Sequence, residues 1–318
     1  MNQPETVTPV YLIDASIYIF QSHFSPNVEC YDQQGRELSA LYGFTQFILQ
    51  FLRRVQPGHV AVAHDESLFC GFRHELCENY KSNRELPDEN LEMQLGACSE
   101  ICALLGLQSY ASKVYEADDI IGTLATRIRQ EGELLPAGID VHIVSRDKDL
   151  AQLLAGEGDC LWDYNGNRKR FRPDILDEYG VHPEQFPDYL GLIGDSVDCI
   201  RGIPGVGPVK AKELLQRFNS LENIYQNLDK IGDLPLRGAG RLADLLDEHR
   251  ELAALSKVLA TIVCNVEDPK EKFSEVKLDG LQTETIDELE LGKFLEHYQF
   301  SAADRNRILS LSRRIQSA

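Results

Sequence analysis

Nine carboxylates stand where predicted strands end or predicted helices begin. They are Asp14, Asp65, Glu116, Asp118, Asp119, Asp147, Asp149, Asp195 and Asp198. In an open parallel sheet, side chains that follow the carboxyl ends of the strands converge on one crevice. Many anionic groups can share a crevice only if cations neutralise them, and carboxylate oxygens suit Mg²⁺ or Mn²⁺. The nine acids therefore predict metal-dependent chemistry, with phosphates as the favoured substrates.

Each acidic cluster also has a plain structural interpretation. An acid at a helix start caps free N–H groups and interacts favourably with the helix dipole. Capping needs one acid, however, whereas the EADD segment at 116–119 supplies three and the DKD segment at 147–149 supplies two. Because this excess recurs at several junctions, the metal-site interpretation is favoured over capping alone.

The elements that must position these acids follow from hydrophobic patterning. Strands are predicted at PVYLID, HVAVAHD, IDVHIVS and GDCLWDY, and helices at LSALYGFTQFILQFLRRV, LEMQLGACSEICALLGL and DDIIGTLATRIRQEG. This alternation predicts an α/β fold with a mainly parallel central sheet flanked by helices. Beyond about residue 173 helical patterns dominate, so we place a boundary near residue 180, with one further helix, LGKFLEHYQF, in the charged tail.

Composition sets limits on the class of protein. The chain has 318 residues, of which 43% are hydrophobic, and this is enough for a packed core. No apolar run approaches the roughly 18 residues of a membrane span. The start MNQPETVTP lacks the features of a secretion signal, so we expect a cytoplasmic protein without a membrane partner. Cys98 and Cys102 are four residues apart without a CxxC pair, which predicts a shared buried helix face rather than a zinc site.

The formal net charge of −19 argues against a nucleic-acid partner. Basic residues are nevertheless concentrated in three runs, at 73–84, 168–172 and 210–217. Taken alone, each run could be a solvated surface. In the first run, Arg73, Tyr80, Lys81 and Arg84 could clamp a phosphodiester and stack on a base.

The segment RGIPGVGPVKAKELLQRF carries a second DNA-binding signal. Gly205 and Gly207 permit a tight turn, and Pro208 suits the first position of a helix that carries Lys210 and Lys212. Backbone N–H groups at such a helix start bind phosphate oxygens without reading sequence. The pattern predicts a helix–hairpin–helix DNA contact, and its alternative is a plain αα-hairpin turn.

The motifs, taken in order, resemble a known family. LIDAS, HD, FRHE, YKSNR, EADDIIGTLA, SRDKDLAQL and GDSVDCIRGIPGVGPVKA are similar to the structure-specific 5′ nucleases, or flap endonucleases. The likeness covers about residues 10–300 and is strongest to the 5′–3′ exonuclease domain of bacterial DNA polymerase I. It implies a PIN-like nuclease core over 1–180, with a helical arch at about 70–95. It also implies a helical DNA-binding region over 181–318, with a helix–three-turn–helix at about 187–220.

The resemblance also implies roles for individual residues. Asp14, Asp65, Glu116, Asp118 and Asp119 match the first metal cluster, which shares Asp147, and Asp149, Asp195 and Asp198 match the second. Lys81 and Arg84 match catalytic cations at the foot of the helical arch, which contact the scissile phosphate. Backbone carbonyls that often hold a potassium ion in the family match Gly202, Ile203, Pro204 and Val206. The implied DNA contacts are Arg73, Tyr80, Lys81, Arg84, Gly205, Gly207, Lys210 and Lys212.

The implied function is divalent-metal-dependent 5′–3′ exonuclease or flap endonuclease activity on 5′ flaps, nicks and ends of DNA. We expect two or more Mg²⁺ or Mn²⁺ ions, a free-standing monomer and a DNA polymerase as partner. Three positions depart from the family pattern: Gln21 replaces an Arg, Ala15 a Gly and Gly71 a Thr. Gln21 keeps open the alternative of a branched-DNA binding protein with weak catalysis. A PIN-type ribonuclease is the other alternative, although such enzymes rarely carry the PGVG module.

Overall fold

The computed structural model describes residues 7–67, 70–133 and 135–316. The remaining residues, which include most of the MNQPETVTP start, lie outside the described part of the chain. The strands are β1 (Thr8–Asp14), β2 (Val60–Asp65), β3 (Gln108–Ser112), β4 (Ile139–Val144), β5 (Cys160–Asp163), β6 (Arg168–Arg170), β7 (Gly194–Asp195) and β8 (Ile200–Arg201). The α-helices are α1 (Ala15–His23), α2 (Ser39–Val55), α3 (Phe72–Leu76), α4 (Glu89–Leu104), α5 (Ala117–Gly132), α6 (Arg172–Tyr179), α7 (Phe186–Ile193), α8 (Pro208–Phe218), α9 (Leu221–Gln226), α10 (Ala239–Glu248), α11 (Arg250–Ala260), α12 (Glu288–His297) and α13 (Ala302–Gln316).

The chain forms two compact units, each built from separate stretches. Unit 1 comprises Met1–Leu68, Leu86–Arg146 and Val263–Ala318, and unit 2 comprises Phe69–Glu85 and Asp147–Ile262. The units are thus interleaved along the chain. The reason is that the C-terminal stretch belongs to unit 1, where α12 packs against α4 and α13 packs against α2.

Unit 1 is organised around parallel strands in the order β3-β2-β1-β4. The central strands are almost wholly apolar, and residues such as Leu12, Ile13 and Val62 are completely buried. Such continuous apolar runs are typical of parallel strands covered on both faces. Helix α5 packs along all four strands, α1 contacts β2, and α2 packs on α1 and α4. The predicted parallel sheet flanked by helices is therefore confirmed.

The strand register places two of the predicted acids at one edge of this sheet. Asp14 at the end of β1 lies beside Ala63 of β2, and Asp65, two residues further, ends β2 beside Ser112 of β3. Both acids therefore follow carboxyl ends of neighbouring parallel strands, as the sequence predicted.

Unit 2 is mainly helical. Strands β5 and β6 form an antiparallel hairpin, and β7 and β8 form a two-residue antiparallel pair. Helix α7 packs against α11 and α8, and α8 packs against α9. Phe186, Leu190 and Leu214 are buried in this helical core. The dominance of helices in the second half of the chain is confirmed.

Elements that were not predicted from the sequence include α1, β3 and α13. Strand β3 has the sequence QSYAS and is only half-buried, so it lacks an apolar run. The helix predicted in the tail is present as α12, and a second helix, α13, follows it although few of its residues are buried. Cys98 and Cys102 are buried on α4, as predicted. None of the helices in the described residues is both long and apolar enough to cross a membrane.

Candidate metal centre and nucleic-acid interface

In unit 1, Asp14 is oriented by hydrogen-bond donors at the end of β1. It is buried and caps α1 by accepting a hydrogen bond from the Ser16 backbone N–H at 3.1 Å. The Ser145 hydroxyl donates to the other carboxylate oxygen at 2.8 Å. A carboxylate held by such donors stays in one orientation while keeping its negative charge. Asp14 is therefore preorganised as an anionic ligand.

Asp65 is held in a similar way at the end of β2. One of its oxygens accepts hydrogen bonds from both the backbone N–H and the hydroxyl of Ser67, at 3.1 and 2.8 Å. The side chain is half-buried, so it remains accessible while it is oriented. Ser67 and Ser145 are supporting residues that the sequence interpretation missed.

The EADD segment forms a capping box at the start of α5. Asp119 accepts a hydrogen bond from the Glu116 backbone N–H at 3.1 Å, and Glu116 accepts one in return. The second oxygen of Asp119 accepts from the Val263 N–H at 2.8 Å, and the side chain is fully buried. Capping is thus a real function of this segment, and Asp119 anchors the C-terminal stretch to α5. Asp118, also in the first turn, is half-buried.

In unit 2, the DKD segment forms a tight turn into a 3₁₀ helix, Asp149–Leu153. The Asp149 N–H donates to Asp147 Oδ1 at 2.9 Å, which fixes the turn. Asp149 is buried, and its Oδ1 accepts no hydrogen bond. Burial and then the neighbouring Asp147 charge raise the pKa of Asp149 to about 7.

Lys148, between these two acids, is the basic residue of this cluster. Its ammonium donates to Asp195 Oδ2 and lies 3.3 Å from Asp149 Oδ1. Burial alone would lower the pKa of Lys148, but the carboxylates of Asp149 and Asp195 hold it above its ordinary value. The sequence interpretation noted Lys148 only as a spacer. A lysine flanked by two acids was the available signal.

Asp198 is paired with both catalytic cations predicted from the arch. Arg84 donates to Asp198 Oδ1 at 2.8 Å, and the Lys81 ammonium lies 3.7 Å from Oδ2. The Lys81 backbone N–H also donates to the Asp198 carbonyl at 3.0 Å, and Asn83 donates to the Val197 carbonyl. Lys81 has a left-handed φ of 50°, which a non-glycine residue adopts only when its surroundings enforce it. This segment of the arch, 81–84, is thereby fixed to the loop that carries Asp198.

The donor chemistry of these residues fits a hard divalent cation. Their side chains offer only carboxylate oxygens, and the buried Asp149 Oδ1 has no hydrogen-bond donor. Within the described residues, no group of three or more His, Cys, Asp or Glu side chains has the mutual geometry of a metal site. The fit thus depends on ligand type, burial and charge.

Two predicted DNA contacts lie in the interior of unit 2. Arg73 is only 3% exposed and donates to the backbone carbonyls of Leu259 and Thr261, at 2.9 and 2.7 Å. Tyr80 is also buried, with its ring beside His74 and under the Lys81 ammonium. Both side chains therefore pack inside unit 2, where they are not exposed to a DNA surface.

The loop that contains the PGVG turn requires glycine at two positions. Gly205 has a φ of +79°, and a Cβ on Gly202 would lie 2.1 Å from the Ile193 carbonyl carbon. Only glycine allows this close approach between the end of α7 and the loop before α8. Lys210 donates to the Gly205 carbonyl at 2.8 Å, and Lys212 is half-buried beside Gly180. Gly207 precedes α8 as its N-cap.

The carbonyls expected to hold potassium lie in this same turn. Ile203 donates its N–H to the Leu192 carbonyl at 2.9 Å and accepts a hydrogen bond from the Val206 N–H at 3.0 Å. Gly202 is half-buried and Pro204 is exposed. Potassium binding here stays a prediction.

The three positions that depart from the family pattern lie on α1 or at the start of α3. Gln21 is exposed on α1, Ala15 is buried at the start of the same helix, and Gly71 is the N-cap of α3.

Two family models match consecutive parts of the chain. The 5′-3′ exonuclease N-terminal resolvase-like domain matches residues 9–180, and the 5′-3′ exonuclease C-terminal SAM fold matches residues 181–288. The chain belongs to the 5′-3′ exonuclease family. The second match ends at Glu288, the first residue of α12, so α13 lies beyond it.

Relatives agree with this assignment. The chain is 32% identical over 259 residues to a 5′-3′ exonuclease of Buchnera aphidicola from Acyrthosiphon pisum, covering 81% of the chain and 87% of that protein. It is 35% identical over 254 residues to DNA polymerase I of Bacillus caldotenax, covering 79% of the chain but only 27% of the polymerase. The exonuclease-family chain thus corresponds to most of one relative and to about a quarter of the other.

Solved structures show the same fold. The T5 D15 protein co-crystallised with metal ions superposes with a TM-score of 0.61 at 18% identity, covering 95% of this chain and 99% of that one. The catalytic core of Rad2 in complex with DNA substrate gives a TM-score of 0.59 at 16% identity, covering 96% and 93% of the two chains. The chain therefore has the fold of these two proteins.

Proposed function

We propose that this chain hydrolyses phosphodiester bonds near the 5′ ends of flapped, nicked or branched DNA, using two or more Mg²⁺ or Mn²⁺ ions. The observation that carries the proposal is the pairing of the unit 2 acids with the arch cations. Asp198 holds Lys81 and Arg84 on the loop that follows Asp195, and Asp149 offers a buried carboxylate oxygen. Family membership supports the same chemistry.

The unit 1 acids are the proposed ligands of one ion. Asp14 and Asp65 are oriented by serine donors, so ligand binding would cost little reorganisation. Asp149, Asp195 and Asp198 are the proposed ligands of a second ion. When bound, the ions would supply Lewis-acid activation of water and of the phosphodiester.

The basic residues have separate proposed roles. Lys81 and Arg84 offset charge that develops on the phosphoryl group, because they are held side by side at Asp198. The turn at Gly205 and Gly207 presents backbone N–H groups at the start of α8, and Lys210 and Lys212 add charge for the duplex backbone. We propose an indirect role for Arg73 and Tyr80, which support the arch from the interior. The carbonyls of Gly202, Ile203, Pro204 and Val206 are the proposed potassium ligands.

The related proteins support three further parts of the proposal. DNA polymerase I relatives carry this region within a longer chain, which makes a DNA polymerase the proposed partner. The T5 D15 protein was crystallised with metal ions and Rad2 with DNA, which supports these two ligand classes. A cytoplasmic monomer is the proposed working form.

The test is a cleavage assay on 5′-flapped, nicked and single-stranded DNA with a titration of Mg²⁺ or Mn²⁺. We expect cleavage near the 5′ end at millimolar metal and intact substrate in EDTA. We also expect strong inhibition by salt, because phosphate contacts release counterions. A flap that is bound but left intact at millimolar metal would contradict the enzyme assignment and favour a branched-DNA binding protein. Preferential cleavage of RNA in a competition assay would favour the PIN-type ribonuclease.

A further inference from the structure

The DKD turn places a lysine ammonium among the acids proposed to hold the second ion. Lys148 donates to Asp195 Oδ2 and lies 3.3 Å from Asp149 Oδ1. Its side chain is about one-third exposed, whereas the Asp195 side chain is almost completely buried. The ammonium therefore contacts two carboxylates, those of Asp149 and Asp195, that are 46 residues apart along the chain.

Backbone contacts leave these two carboxylates oriented toward the ammonium. Asp195 Oδ1 accepts a hydrogen bond from the Val197 N–H at 2.7 Å, so Oδ2 is the oxygen that meets Lys148. Asp149 Oδ1 is buried and accepts no hydrogen bond, and the ammonium at 3.3 Å is its nearby charge partner. Lys148 is thus positioned by the same turn that positions Asp147 and Asp149.

Charge compensation gives this position a purpose. The carboxylates of Asp147, Asp195 and Asp198 each repel the carboxylate of Asp149. Lys148 offsets part of this repulsion, while Lys81 and Arg84 offset the charge of Asp198. Buried like charges without a cation destabilise a folded chain.

We propose that Lys148 is a resident counter-ion that occupies the second cation position between Asp149 and Asp195 and is displaced when a divalent ion binds. This inference rests on the proposed function, because it concerns the ligands of the second ion. Lys148 is accordingly a positioning residue with two effects. It stabilises unit 2 without metal, and it weakens metal binding because the ion must compete with a covalently attached cation.

Metal binding without DNA tests this inference directly. Calorimetric titration with Mg²⁺, and separately with Ca²⁺, would compare the full chain with Lys148→Met and Lys148→Arg. We expect Lys148→Met to bind the second ion about 10-fold more tightly, within the usual range of coupling between competing ligands. Lys148→Arg keeps the charge and should bind within about 3-fold of wild type. Thermal unfolding in EDTA should show a lower Tm for Lys148→Met and a Tm close to wild type for Lys148→Arg.

The outcomes separate this inference from the proposed function. If wild type and Lys148→Met bind the second ion with equal affinity, or if the variant binds more weakly, Lys148 is not a competitor, while metal-dependent cleavage stands. If neither protein binds a divalent ion, the metal chemistry of the proposed function fails as well. Tighter binding by Lys148→Met, with a lower Tm in EDTA, supports the inference.

A measurement on wild type guards against a variant that does not fold. Reductive ¹³C-methylation labels lysine side chains, and the Lys148 resonance is identified by its absence from Lys148→Arg. On titration with Mg²⁺ this resonance should move toward the position of a solvated lysine, with saturation at the occupancy of the second ion. A resonance that stays fixed while the ion binds would show that the ammonium is not displaced.

Discussion

Serine and backbone donors orient Asp14 and Asp65 in unit 1, whereas basic side chains contact Asp195 and Asp198 in unit 2. Asp14 and Asp65 accept hydrogen bonds from serine hydroxyls and backbone N–H groups. In unit 2, Asp195 contacts Lys148, and Asp198 contacts Lys81 and Arg84.

This difference shows two ways of preparing a carboxylate for a cation. A neutral donor fixes the orientation of the carboxylate and leaves its charge available, so a ligand of this kind is ready before the ion arrives. A basic side chain cancels the charge, so the ion must exchange with a cation already present. The proposed second ion would therefore bind by exchange with the Lys148 ammonium.

The largest expected effect is on cleavage, from the substitution Asp147→Asn. The Asn side chain can still accept the Asp149 N–H hydrogen bond through Oδ1, so the DKD turn should remain. Loss of the charge should lower the cleavage rate about 100-fold or more, as removal of a catalytic electrostatic group does. DNA affinity should stay within about 2-fold, since phosphate contacts are made elsewhere.

Single-turnover cleavage of a 5′-flapped duplex and fluorescence anisotropy in Ca²⁺ measure these two effects. Asp247→Asn is the matched control, because Asp247 is an exposed acid on α10. Unchanged cleavage by Asp147→Asn would remove this residue from the site, and the comparison between the two sets of acids would then rest on Asp149, Asp195 and Asp198.

The next effect is on stability, from Arg73→Met. Arg73 satisfies the backbone carbonyls of Leu259 and Thr261 in the interior of unit 2. Without the guanidinium these acceptors lose their charged donor, so the free energy of unfolding should fall by about 3 kcal/mol. Denaturant unfolding measures the loss, and Arg168→Met, at a largely exposed ion pair, should cost about 0.5 kcal/mol or less.

This substitution also decides how Arg73 acts. A destabilised variant whose DNA affinity is normal below its unfolding transition would support the interior role. A variant of normal stability that binds DNA weakly would instead support the direct DNA contact expected from the sequence.

A pH effect of intermediate size is expected in unit 1. His64 is buried beside Cys102 and Phe44, and burial lowers its pKa from 6.5 to about 4. His64 therefore binds a proton below about pH 6.5 in the unfolded chain but only below about pH 4 in the folded chain. The free energy of unfolding consequently decreases as the pH falls through this window. Between pH 7.5 and pH 5 the loss should be about 2 kcal/mol.

Chemical unfolding across this pH range would measure the loss against His64→Gln. The difference in unfolding free energy between wild type and variant should shrink as the pH falls. His297→Gln, at an exposed position on α12, serves as the surface control. A constant difference between wild type and His64→Gln would mean that His64 does not set the acid sensitivity of unit 1.

The parallel strands of unit 1 and the positions of several candidate site residues could be predicted from local sequence. The runs PVYLID and HVAVAHD are apolar and β-branched, and they form β1 and β2 with Asp14 and Asp65 at their ends. The DKD spacing predicted Asp147 and Asp149 as candidate metal ligands, because capping a helix at this junction needs only one of the two acids. These features are encoded within a few residues, so patterning suffices to find them.

Features that depend on distant contacts could not be predicted in this way. The bond from Lys148 to Asp195 joins residues 47 positions apart, and nothing in the DKD motif indicates it. Arg73 was expected at a DNA surface because a basic run is normally exposed, but its carbonyl partners lie 186 and 188 residues away. Helix α13 was missed because its stripe of buried residues is narrow and forms where it packs against α2 and α12.

The smallest expected effect is the coupling between Arg84 and Asp198. Their contact is 2.8 Å, but the Arg84 side chain is 44% exposed, so water and salt weaken it. A double-mutant cycle with Arg84→Gln and Asp198→Asn should give a coupling energy of about 0.5 kcal/mol at low salt, falling toward zero near molar salt. The exposed pair Arg250 and Asp247, at 2.7 Å, provides a reference cycle measured by the same denaturant unfolding. A weak, salt-sensitive coupling would mean that Arg84 can leave Asp198 when a cation binds, as exchange requires. A coupling that persisted at high salt would make this pair a fixed part of unit 2, and the contrast with unit 1 would then hold for Lys148 alone.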